Sequence, residues 1–155
     1  MKIISHRGNL NGSNPKTENT PEQIDFALKK GFDVEVDLWK INDKFFLGHD
    51  EPHNEVSIEW LENRKQNLWI HTKNFHAFET LLEIKRNFIF FYYTKEPLVL
   101  VSNGKIWTHS PKKIVNPKNC IIPLLGEKDV LKSNFKNWFG VCTDYPIAFS
   151  EKNDK

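Results

Sequence analysis

Two carboxylates and two histidines in the first third of the chain have the residue types and the spacing that metal-assisted chemistry requires. Glu35 and Asp37 are two residues apart in the run VEVDLW, which alternates apolar and acidic residues as a β-strand does. Because alternate side chains of a strand point to the same face, both carboxylates can bind one hard divalent cation. His6 in ISHRGN and His49 in FLGHDEP can supply an acid and a base near neutral pH. These residues predict a metal-assisted hydrolase or lyase.

The elements that must position these residues alternate between strands and helices in the first half of the chain. KIIS predicts a first strand that ends at His6, and Thr20 followed by Pro21 predicts the start of a helix that Gly31 ends. DVEVDLW and NLWIHTK predict the second and third strands, each followed by apolar residues at helical spacing. After residue 88 further strands follow with little more than turns between most of them, and one more helix is predicted at about residues 128–138.

This order of elements indicates an α/β fold with about eight strands, mostly parallel in the first half. A (β/α)₈ barrel usually needs about 250 residues, whereas this chain has 155. We therefore expect a contracted TIM-type (β/α)₈ barrel with several helices reduced to turns. Helices should be best formed after strands one, two, three and seven. The active sites of such barrels lie at the C-terminal ends of the strands, where the predicted elements place His6, Asp37, Lys73, His109 and Asp144.

Length, charge and composition restrict the function further. A chain of 155 residues favours one domain, which we place at residues 1–150, followed by a frayed tail at residues 151–155. The net charge of +2, from 22 basic and 20 acidic side chains, gives no case for nucleic acid as a partner. No apolar run approaches the roughly 20 residues that span a bilayer, and no signal peptide precedes the first strand. We therefore expect a cytoplasmic protein without stable membrane insertion, and the oligomeric state stays open.

Several short segments carry a resemblance to a known family. They are His-Arg-Gly at residues 6–8, Glu-Asn-Thr at 18–20, Glu-x-Asp at 35–37, His-Asp at 49–50 and the closing segment GVCTDYP at 140–146. In this order they resemble the glycerophosphodiester phosphodiesterase family. That family belongs to a larger group that includes the phosphatidylinositol-specific phospholipases C and the spider-venom phospholipases D. The resemblance spans nearly the whole chain and implies a role in lipid metabolism.

The resemblance also implies roles for individual residues. His6 and His49 match the two catalytic histidines of the family, one of which acts as general base and the other as general acid; which is which stays open. Arg7 matches the arginine that binds the substrate phosphate, and a planar guanidinium suits two phosphate oxygens. Glu35 and Asp37 match the ligands of a divalent cation, expected to be Mg²⁺, Mn²⁺ or Ca²⁺.

The main departure from the family pattern lies at the third strand. The family usually has Glu-x-Lys there and uses the Glu as a third metal ligand, whereas this chain has His71 and Lys73. His71 either binds the cation and favours softer ions such as Mn²⁺ over Ca²⁺, or it leaves that place to water. Lys73 would still bind the phosphate. By resemblance, Glu18 supports the phosphate-binding arginine or the metal shell, and Asp50 orients an imidazole or holds the turn.

Two functions from different classes follow from these residues. The first is a metal-dependent phosphodiesterase that hydrolyses a small glycerophosphodiester-like molecule by His/His acid–base catalysis, directly or through a cyclic phosphate. The alternative is a module that binds a phosphate-containing ligand with little or no turnover, which the His71 replacement and the shortened helices favour. The two histidines argue for the enzyme, since a binding module needs no acid–base pair. A third function, a phospholipase at a membrane surface, has no amphipathic basic helix to support it.

Overall fold

A single ten-stranded β-sheet organises the computed structural model, which describes residues 1–84, 86–132 and 135–153. Its strands are β1 (Lys2–His6), β2 (Asp33–Ile41), β3 (Lys44–Leu47), β4 (Asn54–Val56), β5 (Leu68–Thr72), β6 (Ile89–Tyr92), β7 (Leu98–Leu100), β8 (Ile106–Thr108), β9 (Cys120–Pro123) and β10 (Gly140–Thr143). Hydrogen bonding follows the order β6–β5–β2–β1–β10–β9–β8–β7. The hairpin of β3 and β4 pairs with β2 beyond the end of β1, because β1 aligns with residues 33–35 and β3 with residues 38–41.

Most neighbouring strands on this path are parallel, as the alternation of strands and helices predicts. Strand β7 is the exception, because it runs antiparallel to β8. A parallel pair needs a connection of about a dozen residues or more, and residues 101–105 are too few to form one. The result is a mixed α/β fold on a curled half-barrel sheet with few helices.

The sheet is open, whereas the sequence predicts a contracted barrel. Within the described residues, no strand pairing joins β6 to β7 at the two ends of the path. Ser102 bridges the gap: its N–H donates to the Phe90 carbonyl at 2.9 Å, and its Oγ accepts from the Phe90 N–H at 3.0 Å. The topology is compatible with a contracted TIM-type barrel, but a hairpin stands where the repeat would place a further parallel strand.

Helices follow the strands after which the sequence predicts them, and one further helix, α5, follows the last strand, where the sequence predicts none. They are α1 (Pro21–Lys29), α2 (Ile58–Glu62), α3 (Phe75–Glu83), α4 (Glu127–Lys132) and α5 (Pro146–Asn153). The predicted cap of α1 is confirmed, since Thr20 Oγ1 accepts from the N–H of Gln23 at 3.3 Å. The helix predicted at about residues 128–138 ends at Lys132, and residues 133–134 lie outside the described residues. In the described part of the chain, no helix is both long enough and apolar enough to cross a membrane.

The predicted frayed tail is in part helical. Residues 151–153 form the last turn of α5, and the Lys152 ammonium and the Asn153 amide both donate to backbone carbonyls. Residues 154–155 lie outside the described residues.

Alternation along β2 separates an apolar outer layer from an inner face that carries the candidate chemistry. Val34, Val36 and Leu38 are fully buried in the apolar cluster that includes residues of α1, α2 and α3. Glu35 and Asp37 point to the inner face and are 3% and 1% exposed. Large apolar side chains fill the rest of that face: Ile4, Trp69, Phe91, Trp107 and Ile121. The charged residues of this face thus lie among large buried apolar side chains.

Candidate active site

The register of β2 brings the two carboxylates next to histidines from neighbouring strands. Glu35 aligns with His6 of β1, and Asp37 aligns with His71 of β5. The sequence predicts Asp37 at the end of its strand. In the structure β2 continues past Asp37 to Ile41. Asp37 lies instead where β2 leaves its pairing with β1 and β5 for the hairpin with β3. The three central strands therefore supply the candidate metal ligands and one of the candidate catalytic histidines.

Asp37 lies at the centre of a cluster of polar and cationic groups. Its Oδ2 accepts a hydrogen bond from Asn19 Nδ2 at 3.0 Å and lies 3.0 Å from Arg7 Nε. Its Oδ1 lies 3.0 Å from His71 Nδ1 and 3.4 Å from Lys73 Nζ. Although burial acts to raise the pKa of Asp37, hydrogen bonds from neighbouring histidines and the nearby positive charges hold that pKa well below its usual range. Asp37 is therefore ionised at neutral pH.

Glu35 has a different electrostatic environment. Burial and the negative charge of Asp37 raise the pKa of Glu35. Its Oε1 lies 3.8 Å from His71 Nδ1. Its Oε2 is buried and has no hydrogen-bond partner among the described residues. A buried polar atom without a partner is costly, and a cation beside this oxygen would remove that cost.

Glu35, Asp37 and His71 fit a divalent cation. Each offers one ligand atom, and these atoms lie within 4.8 Å of one another. Carboxylate oxygens suit Mg²⁺ and Ca²⁺, whereas an imidazole shifts the preference toward Mn²⁺ and other softer ions. The donor set and the unpartnered Glu35 Oε2 both point to a cation at this place.

His6 is held by Asp144, which the sequence places at the active-site end of a strand without giving it a partner. Its Nδ1–H donates to Asp144 Oδ1 at 2.8 Å, and Asn9 Nδ2 donates to the same oxygen at 2.7 Å. The opposite ring nitrogen, Nε2, lies 3.9 Å from Glu35 Oε2. Burial acts to lower the pKa of His6, but the Asp144 hydrogen bond and the charges of Glu35 and Asp144 outweigh it, so that the pKa is raised.

Arg7 is held between two carboxylates. Its Nη1 donates to Glu18 Oε2 at 3.0 Å, and its Nε lies beside Asp37 without the alignment of a hydrogen bond. Glu18 also accepts from Asn9 Nδ2 at 3.0 Å. Burial acts to raise the pKa of Glu18, but hydrogen bonds from neighbouring side chains outweigh it and lower that pKa to about 2. Glu18 thus contacts the candidate phosphate-binding arginine, and its role in the site stays a prediction.

His49 reaches the site from the loop after β3. Its Nδ1 lies 3.1 Å from Lys73 Nζ and 3.4 Å from Asp37 Oδ2. Its side chain is 40% exposed, so it lies at the mouth of the site rather than in its floor. Asp50 Oδ1 lies 3.7 Å from His49 Nε2, but the Asp50 side chain is 91% exposed. Asp50 is therefore a weakly held neighbour of the imidazole.

Two cavities open from this cluster, and Arg7 and His49 border both. The first has a volume of about 160 Å³ and contains the candidate metal ligands. One side of it is formed by rings, which we call the aromatic wall: Phe91, Tyr93, Trp107 and His109. The second cavity has a volume of about 310 Å³ and is lined by polar residues, among them Ser13, Glu18, Asp50 and His53.

The structure brings all nine predicted site residues into one neighbourhood, with Asp50 at its exposed edge: His6, Arg7, Glu18, Glu35, Asp37, His49, Asp50, His71 and Lys73. The sequence does not identify Asp144 as the partner of His6, and it does not indicate Asn9, which donates to Asp144 and Glu18. For Asn19 it suggests only a loop or cap role. Asn19 in fact holds Asp37 twice, since its Oδ1 also accepts from the Asp37 N–H at 3.0 Å. Its position next to Glu18 in the Glu-Asn-Thr segment is a signal that could have identified it.

The fold is similar to that of a protein of known structure. The crystal structure of glycerophosphodiester phosphodiesterase from Agrobacterium tumefaciens str. C58 matches with a TM-score of 0.58 and 16% sequence identity, over 100% of both chains. At this identity the similarity concerns the fold. No protein-family model matches the chain, and no curated protein sequence matches it.

Proposed function

We propose that this protein is a divalent-cation-dependent phosphodiesterase that acts on a small glycerophosphodiester-like molecule. The observation that carries the proposal is the group of Glu35, Asp37 and His71, which shares a cavity with His6, His49 and an arginine. Phosphodiester hydrolysis needs a cation site, an acid–base pair and a group that binds phosphate oxygens. The fold neighbour is a glycerophosphodiester phosphodiesterase, which supports the same class of reaction.

Glu35, Asp37 and His71 would hold the cation. When bound, a divalent cation supplies positive charge that stabilises the negative charge developing on the phosphate oxygens. Mg²⁺, Mn²⁺ and Ca²⁺ can all do this, and the imidazole of His71 favours Mn²⁺ over Ca²⁺.

His6 is the proposed general base. Because its Nδ1–H donates to Asp144, the neutral ring carries its lone pair on Nε2, which lies near Glu35. Nε2 would accept a proton from an attacking water or from a neighbouring hydroxyl of the substrate. The second route would form a cyclic phosphate before hydrolysis. Asp144 would stabilise the imidazolium that results from either route.

His49 is the proposed general acid. As a general acid the ring would be the imidazolium, with its Nδ1–H facing Asp37 Oδ2 at 3.4 Å and its Nε2–H available for transfer. The ring borders both cavities, so Nε2 can reach the leaving oxygen of a phosphodiester held between them. Lys73 and Arg7 would also bind phosphate oxygens, Arg7 through its planar guanidinium.

Hydrolysis of bis(p-nitrophenyl) phosphate tests this proposal. The protein should lose its activity in excess EDTA and regain it when Mg²⁺ or Mn²⁺ is restored. Glu35→Gln should be inactive, whereas Glu22→Gln, on the exposed side of α1, should keep the activity of the parent. Full activity in excess chelator would contradict a cation-dependent reaction.

A phosphate-binding module is the second candidate function. The environment of Asp37 favours this function. Asn19, Arg7 and His71 already contact its two oxygens, so that these oxygens are satisfied without a cation. Binding of inorganic phosphate without turnover of any phosphodiester would support this function.

A further inference from the structure

The aromatic wall continues directly from a candidate metal ligand. His71 and Phe91 are register partners on β5 and β6, and their rings stack at 5.2 Å with an interplanar angle of 2°. Phe91 stacks in turn on Trp107 of β8, with a centroid distance of 4.7 Å. A substrate whose phosphate contacts the cation site therefore has a ring surface immediately beside it.

The wall has a buried floor and an accessible rim. Phe91 and Trp107 are almost fully buried and form the floor. Tyr93 and His109 form the rim, where their rings lie 4.9 Å apart with an angle of 31°. Leu125, which is 41% exposed, also lines this cavity. Rings that line an open cavity can contact a ligand there, unlike rings that only fill a core.

The two cavities differ in chemistry on either side of Arg7 and His49. The aromatic side is lined by Phe91, Tyr93 and Trp107, together with Pro123 and Leu125, and its described lining carries no carboxylate beyond the candidate metal ligands. The other side offers hydroxyl, carboxylate and imidazole groups. A phosphate at Arg7 and His49 would direct one ester group into each cavity. The aromatic cavity would therefore favour an apolar ester group, and the polar cavity a polar one.

We propose that the substrate is an asymmetric phosphodiester, whose flat apolar ester group stacks on the aromatic wall while a polar ester group lies in the second cavity. Tyr93 and His109 then select the apolar group, since they form the accessible rim. This inference rests on the proposed function for the position of the phosphate. It adds the class of substrate and two specificity-determining residues.

Direct binding of three phosphonates, measured by calorimetry in the presence of Mn²⁺, tests the inference without any need for turnover. The probes are methylphosphonate, benzylphosphonate and 2-(trimethylammonio)ethylphosphonate. Benzylphosphonate should bind about tenfold or more tightly than methylphosphonate, because partial burial of one ring supplies an affinity gain of this size. Tyr93→Ala and His109→Ala should each reduce this preference to about threefold or less, and Tyr93→Phe should keep it.

Tyr92 provides the matched control. It is the neighbouring tyrosine, and its ring packs at 5.9 Å from Phe78 of α3, away from the cavity. Tyr92→Ala should leave the preference for benzylphosphonate unchanged.

Other outcomes would overturn the inference or separate it from the proposed function. Equal binding of the benzyl and methyl probes, with phosphodiesterase activity intact, would refute the aromatic selection alone. If the trimethylammonio probe bound most tightly, the inference of an apolar ester group would be wrong, and the wall would select a cationic ester group instead. No binding of any phosphonate would refute both the inference and the proposed phosphate site. A benzyl preference without turnover would support the inference and contradict the enzyme.

Discussion

Asp144 Oδ1 lies 2.8 Å from His6 Nδ1, although 138 residues separate the two in the chain. The parallel pairing of β1 with β10 aligns Ser5 with Thr143, and His6 and Asp144 are the residues that follow each of them. A carboxylate so placed fixes the ring tautomer and stabilises the positive charge of a histidine that takes up a proton. The geometry of this pair makes Asp144 a positioning residue for His6.

Asp144→Asn should reduce turnover by roughly 10²-fold or more while leaving phosphate binding nearly unchanged. The amide keeps the shape of the side chain but can donate to Nδ1, which would place the ring proton on Nε2. The proton positions can be read from the ring-nitrogen NMR shifts of His6. Asp25→Asn at the protein surface serves as control, and an unchanged His6 tautomer in Asp144→Asn would contradict the assigned role.

The inner face of β2 could be predicted from the sequence because its alternation is local. Val34, Val36 and Leu38 are apolar and alternate with Glu35 and Asp37, and strand geometry alone then puts both carboxylates on one face. The same holds for the Thr20 cap, which depends on residues three positions apart. These features needed no knowledge of which strands are neighbours.

The contact of His6 with Asp144 could not be predicted, because it depends on long-range pairing. The direction of β7 is a different case: the apolar run at residues 97–101 fits a strand in either direction, but the short connection to β8, which the sequence shows, makes it antiparallel. Asp144 becomes a neighbour of His6 only once β10 pairs with β1. Asn19 was missed for a related reason, since its contact with Asp37 spans 18 residues across a loop.

His71→Glu should change the metal preference of the site toward Mg²⁺ and Ca²⁺. Oxygen ligands and added negative charge favour hard cations, whereas an imidazole favours softer ones. Metal titration by calorimetry gives this ranking without reference to activity. His76→Glu, at an exposed position of α3, is the matched control and should keep the ranking of the parent. If His71→Glu also kept it, His71 would not be a metal ligand.

Glu18→Gln should destabilise the protein at neutral pH and progressively less in acid. The pKa of Glu18 is lowered from 4.5 to about 2 in the folded chain, so its ionised form contributes stability that is fully present above about pH 4.5. That stability is lost as the pH falls through about 2.

Urea unfolding of parent and variant between pH 7 and pH 3 measures this dependence. The two should differ by about 1.5–3 kcal/mol at pH 7, the range for a hydrogen bond to a charged group, and the difference should shrink below pH 4.5. Glu22→Gln on exposed α1 should show little difference at any pH. A difference for Glu18→Gln that does not vary with pH would mean that its charge is not the cause.

Replacing each candidate catalytic histidine separates the enzyme from the binding module. His6→Ala and His49→Ala should each lower turnover by roughly 10²–10⁴, the usual contribution of a positioned acid or base. Binding of phosphate should survive, because Arg7 and Lys73 still supply the positive charge. The two losses should not multiply in the double variant if both histidines act in one step. His76→Ala should behave as the parent, and unchanged turnover in both single variants would exclude the acid–base assignment.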